Sequence, residues 1–299
     1  MKVLVYEYRW CDDPTQTKFQ ASNGARFGEK FLNFGDRISI EVCSGVQCGG
    51  SMRDGEWKNC ADRLQGRKKC ESCRAREGQF VFTSFDGFNT DNLTAEDLDK
   101  IGGSHLVYLA LFDRELVKVG VCKKERKILR QVEQGSHATL FIADTDNGIL
   151  ARQLETTMRD AGIADKIQAG KKKDSLVPEL SREDCENILQ EKFKQYIPAL
   201  EGFPQLQKFV LETPEFCMWE DLYHLQTVEE RSKPFHNVKL EEGEWISGTI
   251  VARKGPFVVI ETPEELVSIL TKDLCGREIE FDLKSPGLGL TQAVQNSLF

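Results

Sequence analysis

The clearest run of patterned apolar and polar positions lies between His105 and Met158. Residues 106–112 (Leu-Val-Tyr-Leu-Ala-Leu-Phe) are continuously apolar, too few for a helix, and predict a buried strand. Residues 117–121 (Val-Lys-Val-Gly-Val) predict a second strand, and the polar Asp113-Arg114-Glu115 between the two predicts a hairpin. From Glu125 to Gln134, Ile128, Leu129 and Val132 recur at helical spacing and Gly135 supplies the stop. Residues 139–143 predict a third strand, and Leu150, Leu154 and Met158 mark the buried face of a second helix.

The flanking segments are patterned differently. Residues 3–8 and 38–42 read as strands, with turns at Asp12-Asp13-Pro14 and Ser22-Asn23-Gly24. Residues 80–88 are rich in aromatics, and Thr94-x-x-Asp97 reads as the capped start of a short helix. After Met158 the chain turns linker-like, and Lys171-Lys172-Lys173 reads as a solvated loop. Ser181-x-x-Asp184 opens a helix carrying Cys185, Ile188, Leu189, Phe193 and Tyr196, before Pro198, Pro204 and Pro214 break the chain around residues 209–211. Residues 245–252, 257–260 and 279–281 return to strand patterning around the Gly255-Pro256 turn, which predicts a small OB- or SH3-like barrel able to hold single-stranded nucleic acid. Residues 286–299 read as a disordered tail. The expected class is α+β, with five segments: a β-rich segment 1–42, a ribbon 43–79, a core 80–165, a helical and irregular appendage 166–238, and the barrel with its tail 239–299.

Charge changes this picture locally. A net charge of −8 over 299 residues argues against coating nucleic acid through the whole surface. Between Lys118 and Arg130, however, Lys118, Lys123, Lys124, Arg126, Lys127 and Arg130 face a single acid, Glu125, so a basic patch on an acidic body is expected. No apolar run approaches the roughly 18–20 residues of a membrane span, and the start lacks a signal-peptide pattern. A cytoplasmic, membrane-free protein is expected.

In such a compartment ten cysteines are metal ligands or buried hydrophobes rather than a disulfide framework. Cys43-x4-Cys48-Gly49-Gly50 and Cys70-x2-Cys73 have the spacing of two zinc knuckles, with Cys60 as an alternative ligand for one place. Four thiolates favour zinc and close its coordination shell, so the metal would be structural. Eight basic residues against four acids surround them, offering a phosphate contact or simple solubility. Cys11, Cys122, Cys185, Cys217 and Cys275 are isolated and expected as buried hydrophobes.

Tyr108, followed ten residues later by Lys118-Val119-Gly120, resembles the paired strands of the GIY-YIG nuclease superfamily, with Leu106-Val107-Tyr108 at the first triplet. More closely, the chain resembles an uncharacterised prokaryotic family that sets zinc-ribbon cysteines before a GIY-YIG-like core, sharing its Val-Tyr-Leu-Ala strand, Lys-Val-Gly strand and an Arg-x-x-x-Gln-Gly segment, here from Arg130 to Gly135. The resemblance implies a small sheet flanked by helices and a metal-dependent phosphodiesterase acting on DNA or RNA. Tyr108 would take a proton from water, Glu155 would hold Mg²⁺ or Mn²⁺, and Arg130 would stabilise the phosphate, with Arg126 one turn earlier assisting or substituting. Leu106 replaces the first glycine of the signature and Lys118 its second tyrosine, where a lysine contacts phosphate without a phenol's proton chemistry. Asn147 falls too early to be the late asparagine of many members, and His137 lies near a histidine that some keep. The alternatives are a nucleic-acid-binding protein with a degenerate core and a zinc-stabilised protein-interaction module.

Overall fold

The computed structural model describes residues 2–23, 26–53, 56–77, 85–282 and 289–290. The chain divides into two compact units, residues 1–78 with 222–299, and residues 79–221. In chain order the first unit opens with strands β1 (Lys2–Trp10), β2 (Thr17–Ser22), β3 (Phe27–Leu32) and β4 (Arg37–Val42), followed by the short hairpin β5 (Ser51–Arg53) and β6 (Glu56–Lys58) and by helix α1 (Glu71–Glu77). The second unit carries helix α2 (Ala95–Lys100), strands β7 (His105–Asp113) and β8 (Leu116–Lys123), helix α3 (Lys127–Gln134), strand β9 (Ala138–Thr145), helices α4 (Gly148–Asp160), α5 (Ala169–Asp174) and α6 (Arg182–Tyr196), and strand β10 (Val210–Met218). Strands β11 (Phe235–Val238), β12 (Trp245–Lys254), β13 (Phe257–Glu261), β14 (Leu266–Leu270), β15 (Glu278–Phe281) and β16 (Gly289–Leu290) return to the first unit.

The first unit holds one large sheet in the order β11-β14-β13-β12-β4-β15-β1-β2-β3, with β16 beside β12, while β5 and β6 pair separately. Alternating β-branched and aromatic side chains build its core: Val5, Phe19, Ile38, Ile40, Val42, Ile246, Ile250, Ile260, Val267 and Ile279. The C-terminal strands therefore do not make a separate barrel: β12 pairs β4 and β15 lies between β4 and β1, and this strand path does not close. The alternating pattern of residues 1–42 and 245–281 was readable, but which strands pair is set by contacts more than two hundred residues apart, which leave no local trace.

The second unit holds the antiparallel sheet β10-β9-β7-β8, so β7 is flanked on both edges and its continuous apolar run is explained. Val107, Leu109 and Leu111 face a core with Leu140 and Ile142 of β9, Leu154 and Met158 of α4, and Cys185 and Leu189 of α6. Helix α3 ends at Gly135 and α6 starts at the Ser181/Asp184 capping box, both at the expected residues. The capping box at Thr94 is likewise present. Two local expectations are corrected. The lysine run forms α5, where Lys172 donates to the Gln134 carbonyl at 2.8 Å, satisfying an open acceptor at the end of α3. Pro214 lies inside β10, at a register shift between Val210 and Glu215 that removes the need for its missing N–H. Among the described residues no helix is long and apolar enough to cross a membrane. Most of the aromatic-rich stretch, Gly24 of the Ser22-Asn23-Gly24 turn, and the tail apart from β16 lie outside the described residues.

Candidate functional site

In the first unit four thiols meet. The Sγ atoms of Cys48, Cys60, Cys70 and Cys73 all lie within 4.8 Å of one another, and all four residues are buried. Tetrahedral zinc with bonds of about 2.3 Å spaces its sulfurs about 3.8 Å apart. The Cys60 and Cys70 sulfurs are 3.9 Å apart. The Cys70 N–H donates to the Cys48 sulfur at 3.1 Å, which partly offsets the burial that pushes the Cys48 thiol up. The Ser72 hydroxyl and the Cys73 N–H draw the Cys70 thiol down to about 6. The group could hold a metal ion such as zinc.

Cys60 completes this group and Cys43 stands outside it, its sulfur directed to the Glu41 carbonyl at 3.7 Å. Cys43 is held at the end of β4, where its N–H donates to the Glu278 carbonyl of β15, so the sheet keeps it from reaching the knuckle. Gly50, at φ 113°, makes the turn after Cys48, and a Cβ there would stand 2.1 Å from the Lys58 carbonyl. The hairpin β5–β6 thus returns the chain to Asn59 and Cys60. Three of the surrounding cations have acidic partners in the same unit: Arg63 at 4.0 Å from Glu278, Arg67 at 3.7 Å from Glu71 and Lys68 at 3.8 Å from Asp273. Of the isolated cysteines, Cys122 and Cys185 are buried, while Cys11, Cys217 and Cys275 are only partly so.

The second unit gathers four of the expected residues. Tyr108 on β7 pairs with Gly120 on β8, and Ala110 pairs with Lys118, so Tyr108 and Lys118 occupy the same sheet face on neighbouring strands. Tyr108 is fully buried. Gln134 of α3 donates to its hydroxyl at 2.8 Å, and the charge of Arg130, one turn earlier, acts on it. Burial pushes the phenol up to about 12 despite Arg130. The Gln131 carboxamide oxygen collects the Thr139 and Ser136 hydroxyls at 3.2 and 3.4 Å, and Trp219 donates to Thr139 at 2.9 Å. The Arg-x-x-x-Gln-Gly segment is therefore the face of α3 that holds Tyr108, closed by the cap at Gly135.

Lys118 is 8% exposed, and burial together with the Arg130 charge brings its amine down to about 8. Glu155 of α4 and Asp165 oppose that shift, so both carboxylates act on the same amine. Glu155 is itself buried, and desolvation raises its carboxyl although Arg152, one turn earlier on α4, pairs with it. Arg152 is held in turn by the Phe85 carbonyl, accepting from Nε at 3.1 Å. Asp165 lies just after Ala164, which accepts the Val119 N–H at 2.8 Å and bridges to Lys118. Tyr108 and Lys118 thus each feel the charges of both Arg130 and Glu155, although the chain spaces the four over 48 positions (155 − 108 + 1).

The other expected residues lie elsewhere. Arg126 is exposed and pairs with Glu133 at 2.7 Å, away from the buried group. Lys123 pairs with Glu125, Lys124 with Asp144 and Lys127 with Glu215, so the basic run is largely neutralised by acids on its own and neighbouring elements. Asn147 caps α4, accepting from the Ile149 and Leu150 N–H groups. His137 is buried in the backbone ladder between Leu111 and Trp219. Sequence reasoning passed over Gln134 as more than a motif letter, and over Arg152 and Asp165. Only Arg152 left a signal, as a cation three residues before Glu155 on one helix.

Comparison with known proteins narrows the family and nothing further. No curated protein and no solved structure is significantly similar to the chain. Residues 35–276, most of the chain, match the family described as "Protein of unknown function (DUF2797)", which spans the cysteine group and the whole second unit, and the protein belongs to that family.

Proposed function

We propose that the second unit is a phosphodiester-cleaving site of the GIY-YIG kind acting on nucleic acid with Mg²⁺ or Mn²⁺, and that the four cysteines bind a structural zinc. The observation that carries this reading is the convergence of a phenol, an amine, a guanidinium and a carboxylate, delivered by β7, β8, α3 and α4. The order hairpin, helix, strand, helix agrees with the resemblance.

In this reading Arg130 binds the phosphate, and Tyr108 fixes it in place rather than taking a proton, because a buried phenol ionising near 12 is a poor base at neutral pH. Lys118, whose amine lies nearest neutrality, is the better acceptor for the proton of an attacking water. Glu155, with Asp165 beside it, would hold the divalent ion, which supplies charge neutralisation at the leaving oxygen.

The test is incubation of the purified chain with single- and double-stranded DNA and RNA in Mg²⁺ or Mn²⁺. Glu155→Gln is expected to abolish cleavage while retaining affinity, and Arg130→Ala to slow it by about 10²–10³. A second reading, nucleic-acid binding without catalysis, is favoured by the pairing of Glu155 with Arg152. It predicts salt-dependent affinity and no cleavage in any divalent ion. A chain that neither cleaves nor binds would be left as a zinc-stapled interaction module.

A further inference from the structure

The Glu155 carboxylate is engaged by the Arg152 guanidinium three residues earlier on α4. Its side chain is 10% exposed and that of Arg152 is 14% exposed. Such a pair persists only because each charge satisfies the other, and removing one partner leaves an uncompensated charge in a dry site. Arg152 is also fixed from behind. Its Nε donates to the Phe85 carbonyl at 3.1 Å, and two residues on, the Gly87 carbonyl accepts from Gln153 Nε2 at 2.8 Å. Gly87 lies so close to α4 that a Cβ would stand 2.6 Å from the Gln153 nitrogen. Phe85 itself is packed with Ile101 and Ile149. The segment ahead of the core is thus clamped to the helix that carries both charges.

We propose that Arg152 is a placeholder for the divalent cation at Glu155, competing with it for the carboxylate and held there by residues 85–87. The inference rests on the reading of Glu155 as a metal-holding residue. A cation reaching the site must displace a guanidinium, so the metal-free site stays neutral and ordered, and loading is coupled to release of Arg152 toward an anionic substrate. The charges facing the pair are Lys118 from β8, Asp165 from the segment beside β8, and Arg159 one turn later on α4. Asp165 keeps a second carboxylate near the ion once Arg152 has moved.

The experiment measures Mn²⁺ binding by electron paramagnetic resonance and calorimetry, using the full chain purified with zinc supplied and no nucleic acid. Arg152→Gln retains an N–H donor for the Phe85 carbonyl, and Arg152→Met does not, so the pair separates lost charge from lost folding. Both are expected to bind Mn²⁺ at least about tenfold tighter than wild type, Arg152→Lys to remain close to wild type, and Glu155→Gln to lose the site. Equal or weaker Mn²⁺ binding in folded Arg152→Gln overturns the placeholder and leaves the metal reading standing. No Mn²⁺ binding in wild type or either Arg152 variant overturns both.

Discussion

The ring of Tyr108 lies across Gly120 on the neighbouring strand, and a Cβ on Gly120 would stand 2.6 Å from the phenolic oxygen. The missing side chain is the space in which Tyr108 reaches Arg130 and Gln134. Gly120→Ala is therefore expected to destabilise the second unit by about 1–3 kcal/mol through overpacking. In a Tyr108→Leu background the same substitution should cost far less, because the atoms it meets are gone. Urea denaturation of the four proteins of this cycle measures the coupling; additive costs would separate the two residues.

The cysteine group makes an uneven prediction about zinc. Cys60→Ser removes one of four clustered sulfurs and Cys43→Ser removes none. Metal analysis of the purified variants should find about one zinc per chain in wild type and Cys43→Ser, and a marked loss in Cys60→Ser. A Cys43→Ser protein without zinc would return the ligand set to the one read from spacing alone.

Lys118 should make stability depend on alkaline pH. Its amine lies near 8 when folded against an ordinary value of 10.5, and burial is the main cause. Between those values the unfolded chain holds a proton that the folded chain has released, so stability rises with pH across that window and the penalty is complete below it. Lys118→Met is expected to stabilise the fold at pH 7 by no more than about 3 kcal/mol, and to flatten the curve between pH 8 and 10. Parallel curves for the two proteins would show that the amine is fully hydrated in the folded state.

Gln134 ties the end of α3 to the sheet. Gln134→Leu removes the donor to the Tyr108 hydroxyl, and a cost of about 1–3 kcal/mol is expected for the buried group left unsatisfied. Tyr108→Phe removes the other partner, so the double variant should recover part of that cost. Thermal denaturation of single and double variants gives the coupling, and its absence would mean that the bond contributes nothing net.

Local pattern was enough for β7, β8, β9, α3, α4 and α6 of the second unit, though not for α5 or β10. Continuous apolar residues named β7, helical spacing named α3 and α4, and Gly135, Ser181 and Thr94 marked helix ends, because strand burial, helix periodicity and capping are short-range effects. Clustered cysteines named the metal group to within one ligand. Choosing Cys60 over Cys43 needed the tertiary structure, since the hydrogen bond from Cys43 to Glu278 spans 235 positions (278 − 43). The same holds for the single sheet formed by the two ends of the chain, and for the neutralised basic run, whose partners Asp144 and Glu215 come from other strands. Register and charge pairing are decided by which surfaces meet after collapse. A sequence carries the propensity of each surface; only the packed chain decides its partner.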